Sequence, residues 1–133
     1  MKYLLDTHVL LWTLFDDDKL SEKAESAIKN PDNSIYASVI SYWEISLKYA
    51  VGKLELDGVT PDALPGYAVS IGIETLNISE NLVSTFYRLP RTAHKDPFDR
   101  LIIRQAINEN IPLISKDGKI PEYQEYGLKM LWR

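Results

Sequence analysis

Short apolar runs punctuated by helix patterns constrain this chain more than any other feature. KYLLD (2–6), SIYAS (34–38), IETLNI (73–78), IPLIS (111–115) and LKMLW (128–132) are each too short for a buried helix and lack an amphipathic period. Between them lie THVLLWTLF, SEKAESAIKN after a serine cap, SYWEISLKYAV ending at Gly52, a helix from about Pro61, SENLVSTFYRL stopped before Pro90, and PFDRLIIRQAINEN. Apolar strands alternating with helices predict an α/β fold: a parallel sheet buried on both faces under helices. No repeat, low-complexity segment or long linker interrupts the pattern, and 133 residues suffice for one core, so residues 1–133 are expected to form a single domain.

Composition narrows the chemistry. With 45% hydrophobic and 26% charged residues the chain has the make-up of a soluble globular protein. It has no cysteine, which excludes disulfides, thiolate metal sites and cysteine nucleophiles and suits a reducing cytoplasm. The opening MKYLLDTHVLLWTLF superficially resembles an export signal, but Asp6 breaks the run and no small-residue cleavage site follows. No apolar stretch reaches the roughly 20 residues of a membrane span, so a cytoplasmic protein is expected. The net charge of −4 means that any nucleic acid must be held by local basic residues, a cation or a basic partner.

In a parallel sheet, ligands bind outside the carboxyl ends of the strands. Four acidic residues are expected there: Asp6 after the first strand, Glu44 in the first turn of the helix after the second, Asp99 in the first turn of the helix feeding the fourth, and Asp117 just after the fourth. Each also has an ordinary explanation. Asp6 can cap the helix beginning at Thr7, and Ser41 with Glu44 has capping-box spacing. Asp96-Pro97 reads as a cap with proline at the first helical position, leaving Asp99 to favour the helix dipole, and Asp117-Gly118 reads as a turn.

Asp99 fits its ordinary explanation least. Ile102, Ile103 and Ala106 follow at i+3, i+4 and i+7, so it heads a core-facing stripe, whereas Arg100 and Arg104 share a different, solvated face. A carboxylate aimed along such a stripe must be compensated. Glu44 behaves similarly, with Ile40, Leu47 and Val51 on its side of the helix. Two like charges about 4 Å apart repel by roughly 4 kcal/mol near a protein surface, and a divalent cation reverses that sign. Oxygen-only ligands point to Mg²⁺ or Mn²⁺. His8 and His94 lack paired zinc spacing and are expected to be structural or peripheral. The simplest chemistry for a carboxylate-held Mg²⁺ is phosphoryl transfer.

LLDTHVLLW, SYWEISLKYAVGKL, HKDPFDRLIIRQA and LISKD together resemble, in order and spacing, the motifs of PIN-domain ribonucleases of the VapC type, the toxins of type II toxin–antitoxin pairs. The resemblance spans essentially the whole chain. It implies a three-layer α/β/α sandwich with a five-stranded parallel sheet, and Mg²⁺- or Mn²⁺-dependent endonucleolytic cleavage of RNA leaving a 5′-phosphate and a 3′-hydroxyl. Matched residue by residue, the family's acidic quartet falls on Asp6, Glu44, Asp99 and Asp117, and its strand-end hydroxyl on Ser115, where threonine is more usual. Asp96 and Thr7 are expected beside the quartet rather than within it. Implied partners are the RNA substrate, a small antitoxin whose C-terminal segment lies across the active-site groove, and a second copy of the chain.

Lys95, Arg100 and Lys116 flank the acidic motifs and are candidates for phosphate contacts or for balancing nearby carboxylates. Trp12, Trp43 and Tyr49 suit base stacking, an antitoxin helix, core packing or a dimer interface. Asp16, Asp17 and Asp18 read as a solvated loop. Two rival functions remain: a PIN-fold module that binds protein without catalysis, and a receiver domain with Asp57 as phosphoacceptor and Lys116 as its partner. The receiver reading lacks the paired acids expected after the first strand and leaves Glu44 and Asp99 unexplained.

Overall fold

The computed structural model describes residues 1–133. Five parallel strands, β1 (Lys2–Leu5), β2 (Ser34–Ser38), β3 (Ile73–Leu76), β4 (Leu113–Ile114) and β5 (Met130–Leu131), form one sheet in the order β3-β2-β1-β4-β5. Around it lie α1 (Thr7–Phe15), α2 (Glu22–Lys29), α3 (Val39–Ala50), α4 (Leu64–Ser70), α5 (Glu80–Ser84) and α6 (Pro97–Glu109). Alternation along each strand sends neighbours to opposite faces. Leu5, Ile35, Ala37 and Ile114 join Val9, Leu10, Leu14, Ala24, Leu64 and Ala68 in one core. Leu4 and Leu113 join Ile102, Ile103 and Ala106 of α6 in the other. The result is the expected three-layer sandwich, and no helix is long and apolar enough to cross a membrane.

Strand order reverses at β1, which has β2 on one side and β4 on the other. Chain segments leaving β1 and β4 therefore diverge, opening a crevice at their carboxyl ends. The register is tight there: the Asp6 N–H donates to Ile114 O at 3.2 Å and the Ser115 N–H to Leu131 O at 3.3 Å.

Several local expectations are corrected. Helix α3 starts at Val39, capped by Ser38, whose hydroxyl accepts from the Ile40 N–H at 3.0 Å. Ser41 is therefore inside the helix and forms no capping box, and Glu44 lies beyond the first turn. A strand-terminal serine can serve as the cap directly, so α3 begins two residues before the expected Ser41. SENLVSTFYRL breaks into α5 and a 3-10 turn over Phe86–Arg88, and a 3-10 segment over Ile120–Tyr126 joins β4 to β5. Asp17–Lys19 is a 3-10 turn rather than loop, with Asp16 paired to Lys19 at 2.9 Å and Asp17 to Lys29 at 3.3 Å. Asp57 is exposed in the connection between α3 and α4 and follows no strand, contrary to the receiver reading.

Candidate active site and metal centre

Each acidic side chain reaches the crevice from a different element. Asp6 is the N-cap of α1: its Oδ1 accepts the Val9 N–H at 2.8 Å, so capping and presentation at the crevice are one geometry. It is almost fully buried. Burial pushes its carboxyl up, the bonds from the Ser115 hydroxyl and Val9 N–H and the nearby His8 pull it down, and Asp117 pushes it up again, leaving it raised overall. Ser115, itself buried, accepts the Asp117 N–H at 3.1 Å, so its hydroxyl links the first and fourth acids.

Glu44 is buried, with both carboxylate oxygens engaged. Thr7 donates to Oε1 at 2.6 Å, and Thr7 Oγ1 lies 3.0 Å from Ser41 Oγ. Lys48, one turn along α3, donates to Oε2. Burial pulls the Lys48 ammonium down, but Glu44, Asp96 and Asp99 outweigh this and leave it raised. Of the apolar residues expected on the Glu44 face, Ile40 is buried, whereas Leu47 and Val51 are 41% and 60% exposed. That side of α3 turns outward after its first turns.

Asp96 caps α6, accepting the N–H groups of Phe98 at 2.9 Å and Asp99 at 3.1 Å. Ile102, Ile103 and Ala106 are buried as the stripe requires, and Asp99 at its head is partly buried. Burial first, then Asp96, Glu44 and Asp6, push the Asp99 carboxyl up to about 6, with His94 opposing. Glu44 and Asp6, distant in sequence, thus act on Asp99 at this edge.

His94 corrects the expectation of a peripheral residue. It is 6% exposed, and its Nε2 lies 3.2 Å from Asp99 Oδ2 and 3.7 Å from Asp117 Oδ2. Donor atoms of His94, Asp99 and Asp117 lie within 4.8 Å of one another, a grouping able to hold a metal ion. Asp117 also accepts the Lys119 N–H at 2.9 Å, the turn chemistry expected of it. His8, by contrast, is exposed beside Trp12, at a ring separation of 6.0 Å.

Asp6, His8, Trp12, Lys116 and Asp117 line a groove of about 330 Å³ beside the first and fourth acids. The Lys116 ammonium sits 6.0 Å from the Trp12 ring centre, and Lys95 is exposed. Arg100 turns elsewhere: it donates to the Tyr123 hydroxyl at 3.2 Å and Leu89 O at 3.3 Å and stacks on Phe86 at 4.9 Å. Arg104 bonds Thr85 at 3.3 Å, so the arginine face packs against neighbouring chain rather than solvent. Trp12 packs on Trp132, whereas Trp43 is 56% exposed and meets Phe98 edge-on at 5.0 Å. Tyr49 is exposed. A larger depression of about 540 Å³, bordered by Thr13, Asn30, Asn33 and Ile71, has no such convergence of acids.

Sequence reasoning missed His94 and Lys48. The i,i+4 spacing of Glu44 and Lys48 was an available signal. Nothing local distinguished His94, because its acidic neighbours arrive from α6 and from the segment after β4.

A doubly wound parallel sheet with acids gathered at its switch point defines the class. The chain belongs to the PIN domain family, whose model matches residues 3–126. It is 27% identical over 133 residues, 97% of each chain, to Ribonuclease VapC22 of Mycobacterium tuberculosis. Its fold is similar to that in the VapBC2 complex of Rickettsia felis bound to promoter DNA, with a TM-score of 0.66 at 19% identity and full coverage of both chains. DNA-bound VapBC from Salmonella typhimurium gives a TM-score of 0.68 at 14% identity, covering 98% of this chain and 97% of that one.

Proposed function

We propose that this chain is a metal-dependent endoribonuclease acting in the cytoplasm as the toxin of a toxin–antitoxin pair, with residues 1–133 working as one PIN domain. The supporting observation is the convergence of Asp99, Asp117 and His94, whose donor atoms lie within 4.8 Å of one another, with Glu44 and Asp6 near enough to act on the Asp99 carboxyl. Likeness to a named ribonuclease along the whole chain supports the same reading. The four acids are assigned to hold Mg²⁺ or Mn²⁺. An orphaned, buried His94 Nε2 beside two carboxylates is the arrangement a cation would satisfy. When bound, the ion would lower the pKa of water and neutralise charge developing on the scissile phosphate.

The chain's own residues do the positioning. Val9 and Ser115 orient Asp6, and Thr7 and Lys48 orient Glu44. Asp96 starts α6 so that Asp99 faces the crevice. Lys116 and Lys95 are assigned to RNA phosphates, while Arg100 is left to packing. Trp43 and Phe98, with Val83, Phe86 and Leu101, border an apolar groove of about 200 Å³ that we assign to the antitoxin segment. Homodimerisation is part of the same proposal and would give a scattering mass twice the 15.2 kDa of the chain.

Purified protein should cleave RNA with Mg²⁺ or Mn²⁺ and stop on chelation. D99N should abolish cleavage with an unchanged circular dichroism spectrum, and should relieve growth arrest when expressed in bacteria. Full activity in D99N would remove the site assignment. A folded wild-type protein inert with both metals would favour the protein-binding module instead.

A further inference from the structure

We propose that His94 is itself a metal ligand, making the centre a mixed nitrogen and oxygen site that favours Mn²⁺ over Mg²⁺. This presupposes the carboxylate-held ion proposed above and adds a ligand outside the acidic quartet.

The imidazole is buried without a partner suited to it. Nε2 has no aligned hydrogen bond, although carboxylate oxygens of Asp99 and Asp117 stand 3.2 and 3.7 Å away. A histidine held by a simple hydrogen bond would aim its N–H along one of those lines, and leaving a buried nitrogen unpaired is unfavourable. Convergence on a shared point is different. Ligands about 2.1 Å from one ion stand about 3.0 Å apart when adjacent and about 4.2 Å when opposite. Both observed separations fall between those limits.

The fold also builds this position. The His94 backbone N–H donates to Thr92 Oγ1 at 3.1 Å, and Thr92 Oγ1 donates to the Tyr123 hydroxyl at 3.0 Å. Tyr123 is fully buried, and Arg100 donates to the same hydroxyl at 3.2 Å. The segment carrying His94 is thus tied both to α6, which presents Asp99, and to the 3-10 segment that follows Asp117. A ligand held by packed elements keeps its geometry without the ion. Imidazole nitrogen suits transition metals, whereas Mg²⁺ prefers oxygen, and this difference sets the direction of selectivity.

The chain has two histidines, so pulsed electron paramagnetic resonance of untagged, Mn²⁺-loaded protein can assign the ligand. Wild type and H8Q should both show ¹⁴N modulation from a directly bound imidazole, and H94Q should lose it. Calorimetry should show Mn²⁺ affinity in H94Q falling at least about tenfold, with Mg²⁺ affinity falling less. Should H94Q fail to fold, modulation retained in H8Q still assigns the only other imidazole. Bound Mn²⁺ without ¹⁴N modulation in wild type overturns the role of His94 and leaves the carboxylate site standing. Absence of stoichiometric Mn²⁺ binding in wild type overturns both.

Discussion

Two arms of the site handle a buried acid in opposite ways. On α3, Glu44 receives Thr7 on one oxygen and Lys48 on the other, so its charge is answered within the protein. On α6, Asp99 faces Asp96, Glu44 and Asp6; His94 opposes them, no lysine or arginine pairs with it, and its carboxyl is pushed up to about 6. The first arm is balanced in charge before any ion arrives. The second stores unfavourable electrostatics that a cation would release, because positive charge there relieves desolvation and repulsion together.

The largest effect expected from this contrast is metal-induced stabilisation. Mn²⁺ at about 100 times its dissociation constant should stabilise the wild type by about 2.7 kcal/mol in thermal melts at neutral pH. D99N should show little of this gain, and E44Q should retain more of it than D99N. Equal losses in the two variants would break the distinction between the arms.

Lys48 provides the next test. K48M leaves Glu44 buried without its ammonium partner. Because Lys48 is itself partly exposed, the expected loss in chelator is about 1–3 kcal/mol by denaturant titration. Adding E44Q to K48M should restore part of that stability. Simple additivity of the two substitutions would show that the pair is not the unit described.

The Asp99 carboxyl gives a signed pH dependence. Its folded pKa is raised from 3.8 to about 6, so the folded protein keeps a proton that the unfolded chain releases between those values. Stability of the metal-free protein should therefore fall as pH rises through that window, the folded state binding more protons. D99N should exceed the wild type at pH 7 by about 1–2 kcal/mol, allowing for solvent access to the side chain, and the gap should close below pH 4. Saturating Mn²⁺ should remove the difference at pH 7 by stabilising wild type.

The smallest effect concerns how the arms touch. Trp43 of α3 and Phe98 of α6 meet edge-on at 5.0 Å. A double-mutant cycle with W43A and F98A should give a coupling of about 0.5 kcal/mol, reduced by the exposure of Trp43. No coupling would make the arms mechanically independent at this contact.

The parallel sheet was legible because its strands are short and apolar on both sides, a pattern that hairpins seldom produce. Helix α6 was legible down to its cap, since Asp96, Pro97 and the stripe from Ile102 to Ala106 act within a few residues of one another. The start of α3 was misread because Ser38 and Ser41 both offer capping hydroxyls. Only the end of β2 decides between them, and that end is set by pairing with β1 and β3. Arg100 was misassigned to solvent because its partners Leu89 and Tyr123 arrive from segments before and after α6.

By itself the sequence determined the alternation of strands and helices, the single-turn interactions that start α1, α2 and α6, and a set of candidate acids near strand ends. Those depend on neighbours a few residues apart, where residue type and spacing carry the physics. Tertiary structure alone decided which acids are answered by protein and which stand against one another. It also brought His94 from a connecting segment into the charged centre and set Thr7 of α1 against Glu44 of α3. Burial and Coulomb energy depend on distance and solvent access, and both come into being only when the sheet brings its separate elements to one edge.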